Sequence, residues 1–185
     1  MNIINSIFTE ETEVKKSKFI SFLVPINEFK SLREELKSKH PKANHIVYAY
    51  RELNEFNQVV ENSSDDGEPK GAAGVPTLNH LRGKELINCA IITVRYFGGI
   101  KLGVGGMVRA YGLAAKNVID KAEITPYEKL IEESIMATYK QQRQIEYYLK
   151  ECDIEPIERV FLNDKVVWKV LVSQQKLQRL KKLMV

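Results

Sequence analysis

The sequence predicts an α+β protein of two domains, and three observations support this prediction. Its 185 residues are enough for one large or two small domains. The first two thirds of the chain alternate between strand-like and helix-like segments, and residues 130–183 then predict a separate β-α-β-β-α series. Between them, residues 123–129 contain a proline and fit neither pattern. We therefore place one domain at residues 1–127 and a second, shorter one at residues 128–185.

The first domain begins with a predicted strand over Lys18–Ile26. A helix follows from Asn27, which we expect to cap it, and ends before Pro41. A second strand is predicted over Asn44–Arg51, because apolar and aromatic residues alternate there, and a short third strand near Gln58–Glu61.

The remaining elements of this domain surround a glycine-rich segment. Val75–Leu81 predicts a short helix with a proline in its first turn. The β-branched and aromatic run Ala90–Phe97 predicts a buried strand, and the alanine- and leucine-rich run Met107–Lys121 predicts a long helix. We expect a sheet with these helices on one face.

The second domain is expected to be ferredoxin-like without its final strand. The predicted order is a strand, a helix, a hairpin of two strands and a last helix. These elements are Leu130–Thr138, Tyr139–Glu151, Pro156–Leu162 with Val166–Ser173, and Gln174–Leu183. We expect a naturally short or truncated terminus, and a homo-oligomer that forms through the sheet edge left open.

Composition narrows the class of protein. With 44% hydrophobic and 28% charged residues, the chain is typical of a globular protein. The net charge of +4 is not concentrated in a basic tail and argues only weakly for nucleic acid. Cys89 and Cys152 lack the paired spacing of a zinc site, and we expect both as reduced thiols. No leader and no run of about 18 apolar residues is present, so we expect a cytoplasmic protein that does not bind membranes.

Glycines are concentrated in one segment, since Tyr96–Gly112 holds six of the chain's ten. A strand, a flexible glycine loop and a helix N-terminus together predict an anion site, because free N–H groups and the helix dipole favour negative charge. The spacing matches neither common phosphate-binding loop. The residues expected to contact a ligand or partner are Arg95, Tyr96, Gly98, Gly99, Lys101, Gly103, Gly105, Gly106, Arg109 and Tyr111. The alternative is a turn that only lets the helix pack closely.

A second segment, Ser63–Pro76, crowds three carboxylates into four residues: Asp65, Asp66 and Glu68. Such crowding is unfavourable unless a cation compensates it. The compensating charge is expected from Arg95, Lys101 or Arg109, from a divalent metal, or from a basic partner. The alternative is a solvated acidic loop. The spacing excludes a calcium EF-hand, and we assign no metal ligands.

Both segments resemble the YigZ/Impact family, and the resemblance spans roughly residues 14–120. The matching residues are Lys16–Ile20, His45, Tyr48–Arg51, Ser63–Pro69, Gly71, Ala73–Gly74, Pro76, Arg95–Gly103, Gly105–Gly106 and Val108–Gly112. Three positions depart from the family pattern. The family usually has serine at Lys70, threonine at Ala72 and often cysteine at Val47, and the loss of two hydroxyls argues against a hydroxyl-mediated role for this loop.

The resemblance implies both a fold and a function. It implies a first domain like the second domain of the ribosomal small-subunit protein five type, and a second domain like the last domain of elongation factor G. It also implies a protein linked to the regulation of translation, because eukaryotic Impact proteins restrain the kinase that senses amino-acid starvation. Those proteins carry an additional N-terminal partner-binding domain that is not found in these 185 residues.

Three functional hypotheses remain open. We favour a non-enzymatic protein that contacts RNA, the ribosome or a translation-associated protein through the glycine loop, Lys101 and Arg109, without a cofactor. Exposed Tyr96, Phe97 or Tyr111 would stack on bases. The second hypothesis is a metal- or phosphate-dependent hydrolase that uses Asp65, Asp66 and Glu68, with Ser63 or Ser64 beside His45 or His80. In the third, the two charged loops pair with each other and only stabilise the domain.

Overall fold

The computed structural model describes residues 1–184, and the chain divides into two compact units, Met1–Tyr127 (unit 1) and Glu128–Val185 (unit 2). Each unit combines strands and helices, so the protein is a two-domain α+β protein. In the part of the chain that is described, no helix has the length and apolar character needed to span a bilayer.

Unit 1 contains β1 (Asn2–Ile3), β2 (Phe8–Val14), β3 (Ser17–Pro25), α1 (Ile26–Lys39), β4 (His45–Leu53), β5 (Val59–Ser64), α2 (Gly74–Gly83), β6 (Cys89–Tyr96), α3 (Val104–Asp120) and β7 (Thr125–Pro126). Five of the strands form an antiparallel sheet in the order β2-β3-β6-β4-β5, and β1 pairs with β7. The central strand β6 places Val94 between Ile20 of β3 and Ile46 of β4.

Helices cover both faces of this sheet, so the expectation of helices on one face is wrong. Side chains of β6 alternate between the faces, as in any strand. Ala90 and Ile92 pack with Phe29 of α1, whereas Ile91 packs with Leu81 of α2 and with α3. A central strand buried on both sides explains why residues 89–95 are apolar almost throughout.

Several boundaries differ from the predictions. Asn27 does not cap α1, because Pro25 occupies the N-cap position and the helix has no side-chain cap. The edge strand β2 is absent from the predicted elements, because its residues 9–13 are all polar and show no apolar alternation that would indicate its pairing with β3. Helix α3 begins at Val104 rather than Met107, and β5 continues to Ser64 into the segment predicted as an acidic turn.

Unit 2 contains β8 (Leu130–Thr138), a 3₁₀ turn (Tyr139–Gln141), α4 (Gln142–Glu151), β9 (Pro156–Phe161), β10 (Lys165–Ser173) and α5 (Gln174–Leu183). Its antiparallel sheet has the order β8-β10-β9. Trp168 of β10 is fully buried against residues of α4 and α5. Within the described residues β8 pairs only with β10, and oligomerisation through its other edge stays a prediction.

Candidate functional site

A buried ion pair joins the acidic loop to the sheet. Glu68 accepts a hydrogen bond at Oε1 from Nη1 of Arg95, and both side chains are less than 8% exposed. The hydroxyl of Tyr111 on α3 donates to the same oxygen over 2.7 Å. Arg95 projects from the face of β6 that α3 covers, so Glu68 ties loop, sheet and helix together. The compensating cation for this carboxylate is therefore Arg95.

The side chain of Asp65 binds backbone N–H groups of the same acidic loop. Its two carboxylate oxygens accept N–H groups of Gly71, Ala73 and Gly74 at 2.8–3.1 Å. Burial raises the pKa of Asp65, but the three N–H donors more than offset this, so its pKa lies below the usual value. The carboxylate holds the turn that leads into α2.

Asp66 has a third, separate role. Its Oδ2 accepts the N–H of Ile46 at 2.6 Å, and its carbonyl oxygen lies 2.7 Å from Nδ1 of His45. Because a carbonyl oxygen only accepts, Nδ1 carries the proton, and Nε2 of His45 faces Oε2 of Glu68 at 3.7 Å. His45 thus supports the loop.

The three carboxylates bind different protein groups, an arrangement that does not favour the shared metal site of the hydrolase hypothesis. Each carboxylate is already engaged by protein groups, and within residues 1–184 no cluster of three or more His, Cys, Asp or Glu side chains is arranged to hold a metal ion. Ser64 and His80 are each engaged elsewhere. Ser64 accepts the N–H of Asp66 at its Oγ, and His80 lies beside Gly112, between α2 and α3.

The glycine loop between β6 and α3 packs directly on the β2–β3 turn. A Cβ at Gly98 would lie 1.9 Å from the carbonyl carbon of Lys16, and the Gly98 N–H donates to Ser17 Oγ at 3.2 Å. Gly99 and Gly103 adopt positive φ values of 85° and 71°, which side chains disfavour. Two kinds of constraint, a close approach and left-handed turns, therefore account for three of these glycines.

The loop ends at an uncapped helix N-terminus. Gly103 is the N-cap of α3, and the first intrahelical bond runs from the Met107 N–H to the Gly103 carbonyl. The N–H groups of residues 104–106 therefore have no intrahelical acceptor. The first turn of α3 contains no acidic residue. This end of the helix favours an anion.

Four cations lie on the segments that meet at this helix end, and two of them, Lys15 and Lys16, are not among the residues predicted to contact a ligand. Lys101 and Arg109 are exposed, and within residues 1–184 neither forms a salt bridge. Lys15 and Lys16 occupy the β2–β3 turn at φ values of 47° and 64°. Lys15 and Arg109 line one cavity of about 140 Å³. We call these four side chains, with the N-terminus of α3, the basic loop surface.

Carboxylates are absent from the cavities of this surface in the described chain. A second cavity of about 370 Å³ is lined by Asn44, His45, Arg95, Phe97, Lys101, Leu102, Gly103, Val104 and Met107. Neither it nor the smaller cavity beside Lys15 has an acidic residue in its wall. In a chain with 24 Asp and Glu residues, this is a local excess of positive charge.

The aromatic residues proposed for stacking are not equivalent. Tyr111 is fully buried. Tyr96 points to the opposite face of the sheet, where its hydroxyl lies 2.8 Å from Nδ1 of His40. Tyr111 is therefore closed to a base and Tyr96 lies away from the glycine loop, whereas Phe97 is 47% exposed. Alternation along β6 decides this, because Tyr96 and Arg95 must face opposite ways.

Two of the three positions that depart from the family pattern are part of the interior. Val47 and Ala72 are fully buried in the cluster that also contains Tyr111. Lys70 is exposed next to Pro69. At Val47 and Ala72 the difference from the family pattern therefore affects the packing of the interior and not the surface of the acidic loop.

Comparison with known proteins identifies the family. Residues 15–119 match the model of the Impact N-terminal domain. An IMPACT family member of Haemophilus influenzae is 33% identical over 156 residues, which cover 82% of this chain and 75% of that protein. IMPACT family member YigZ of Escherichia coli is 35% identical over 144 residues, which cover 76% of this chain and 71% of that protein.

A solved structure is similar to this protein over nearly the whole chain. A crystal structure described as a hypothetical protein superposes with a TM-score of 0.66 at 30% identity, over 99% of this chain and 90% of that one. The resemblance first noted in the acidic and glycine-rich segments therefore extends through both units. The chain belongs to the IMPACT family.

Proposed function

We propose that this protein is a non-enzymatic binding protein linked to the regulation of translation, and that it contacts RNA, on or off the ribosome, through the basic loop surface. The observation that supports this most directly is that Lys15, Lys16, Lys101 and Arg109 lie on the segments that meet at the uncapped end of α3. Phosphate contacts from such cations and helix N–H groups supply most of the affinity of sequence-independent binding.

The link to translation is supported by family membership. Eukaryotic Impact proteins, which the sequence resembles, restrain a kinase that acts on an initiation factor. The domain shared with them is the one that contains the basic loop surface, since the family match covers residues 15–119. The ribosomal-protein-like fold that the family resemblance implies adds an argument by analogy.

Salt-dependent binding tests the proposal. Binding of single-stranded RNA and of purified ribosomal subunits would be measured at salt concentrations from about 50 to about 300 mM. Phosphate contacts weaken strongly over about this range. The double variant Lys101→Ala/Arg109→Ala should bind more weakly, and its slope of log affinity against log salt should be shallower by about 1.4, because each lost phosphate contact contributes about 0.7.

A matched variant controls for net charge. Lys30→Ala/Lys84→Ala also removes two exposed cations, neither of which forms a salt bridge within residues 1–184. This variant should keep the wild-type slope. Equal slopes for the wild type and the Lys101/Arg109 variant would overturn the proposal.

A further inference from the structure

The larger cavity of the basic loop surface has a more specific chemistry than a patch of cations. It lies between the end of β6, the glycine loop and the first turn of α3, with a volume of about 370 Å³. We propose that this cavity binds one nucleoside monophosphate unit, its phosphate at the N-terminus of α3 and its base against Phe97. The inference rests on the proposed function and specifies what the basic loop surface recognises.

The polar groups of the cavity mainly offer hydrogen-bond donors. Lys101 supplies an ammonium group, and the first turn of α3 supplies backbone N–H groups from Val104 onward. Asn44 accepts the Phe97 N–H at Oδ1 over 2.8 Å, which leaves its amide NH₂ as a donor. A ligand that satisfies such a set must be rich in acceptors, as a phosphate ester is.

A buried guanidinium in the same wall lacks a full set of partners. Arg95 is only 6% exposed, and its Nε has no hydrogen-bond partner in the described structure. Its Nη1 is held by Glu68, so its charge is already balanced. Buried polar groups are almost always paired in folded proteins. Within residues 1–184 only Nη1 of this guanidinium has hydrogen-bond partners, and Arg95 lines the cavity. Nε itself is enclosed by protein, so the remaining N–H groups of the guanidinium are the ones that an acceptor in the cavity would meet.

The rest of the wall is apolar and includes an aromatic ring. Leu102, Val104 and Met107 line one side, and Phe97 presents a ring that is 47% exposed. The Arg95 guanidinium carbon lies 6.0 Å from the centroid of the Phe97 ring. A free inorganic anion would leave these apolar surfaces uncovered. A planar base attached to the phosphate covers them by stacking.

The volume limits the ligand to one unit. Cavities that hold small ligands measure roughly 300–1,000 Å³, and this one is near the lower end. The unit is either a free mononucleotide or a single nucleotide turned out of a single-stranded RNA. Both sources present the same chemistry, and the experiment separates them.

The first experiment compares three small probes with RNA on the full chain. AMP, adenosine and inorganic phosphate are titrated by calorimetry and by ¹H–¹⁵N spectra, and a ten-residue oligoadenylate is titrated alongside. We expect AMP to bind at least about tenfold more tightly than adenosine or phosphate, and to shift the amide resonances of Gly103, Val104 and Gly105. Equal binding of phosphate and AMP, or of adenosine and AMP, overturns the inference.

The RNA titration distinguishes this inference from the proposed function. Salt-sensitive binding of oligoadenylate without any binding of AMP overturns the nucleotide cavity but leaves the proposed function intact. Binding of AMP without binding of oligoadenylate supports the cavity, identifies a free mononucleotide as its ligand and overturns RNA binding. If AMP and oligoadenylate both bind, the nucleotide cavity and the proposed function are both supported. If neither ligand binds, the nucleotide cavity and the proposed function are both overturned.

Matched variants test the stacking and phosphate contacts. Phe97→Leu keeps an apolar side chain but removes the aromatic face, and it should weaken AMP binding about tenfold. Phe56→Leu, at a 72% exposed position outside the cavity wall, should leave AMP binding unchanged. Lys101→Ala should lower the affinity for AMP and not that for adenosine. Unchanged AMP affinity in folded Phe97→Leu and Lys101→Ala variants would overturn the inference.

Discussion

Glu68 and Arg95 lie 27 positions apart in the sequence and form a buried ion pair in the interior of unit 1. One residue comes from the acidic loop and the other from the central strand β6. Removing two charges from water is costly, and the hydrogen bond from the Tyr111 hydroxyl to the same oxygen of Glu68 helps to offset that cost. The pair therefore fixes the position of the acidic loop relative to the sheet.

Breaking this pair is expected to destabilise unit 1 strongly. Glu68→Gln keeps the shape of the side chain but leaves the charge of Arg95 uncompensated inside the protein. We expect a loss of about 3–5 kcal/mol in the free energy of unfolding, measured by urea denaturation followed by circular dichroism. Glu13→Gln, at an exposed position of β2, should change the free energy by less than about 0.5 kcal/mol. Equal stability of the two variants would contradict the role assigned to the pair.

Asp65 should make stability depend on pH in the acidic range. Its pKa is lower in the folded protein than in the unfolded chain, where it is about 3.9. The stabilisation is therefore complete above that value and is lost as the pH falls through the lower, folded pKa. Asp65→Asn should cost about 2 kcal/mol or more at pH 7, because it weakens three hydrogen bonds to a charged acceptor.

The difference between the wild type and Asp65→Asn should shrink as the pH falls below about 4, because the unfolded chain takes up a proton at Asp65 there before the folded protein does. Urea denaturation at a series of pH values measures this. A difference that stays constant down to pH 3 would show that the charge of Asp65 is not what holds the turn.

Tyr111 should affect stability at the opposite end of the pH scale. Burial, together with the hydrogen bond to Glu68 and its charge, raises the pKa of Tyr111 above the usual value. The stabilisation is therefore complete below the unfolded pKa of about 10 and decreases as the pH rises beyond it. Tyr111→Phe should cost about 1.5–3 kcal/mol at pH 7 and progressively less above pH 10. Thermal denaturation between pH 7 and 11 measures this, and a cost that grows with pH would contradict it.

Gly98 should tolerate no side chain. In Gly98→Ala the new Cβ would meet the backbone of Lys16 and Ser17 within 1.9–2.3 Å, so the glycine loop or the β2–β3 turn must move. We expect lower stability and weaker RNA binding, because both segments contribute cations to the basic loop surface. Gly83→Ala, at the end of α2 with no atom within 4 Å of the new Cβ, is the control and should fold normally. Normal stability and normal RNA binding of Gly98→Ala would contradict the packing described here.

Periodicity predicted the elements of unit 2 well. Burial alternates cleanly along β8 and β10, and each element is joined to the next by a short turn, so local sequence is enough to place them. In unit 1 periodicity does not predict β2, because residues 9–13 of this edge strand are all polar. It also placed all helices on one face, because a strand buried on both sides shows no alternation that would reveal a second layer.

The sequence by itself determined which two segments are candidates for the functional site. The acidic and glycine-rich segments were selected from the density of their charges and glycines, and the prediction that Arg95, Lys101 or Arg109 compensates the acidic loop included the residue that does so. The family followed from the same residues.

Only the tertiary structure decided what each of those residues does. Strand alternation and sheet pairing turn Arg95 inward to Glu68, turn Tyr96 to the other face, and bury Tyr111. The contact of Gly98 with the β2–β3 turn adds Lys15 and Lys16 to the site, although they are more than 80 positions away from the glycine loop in sequence. Charge spacing along the chain cannot predict this, because it depends on which strands pair and on which face of the sheet each side chain lies.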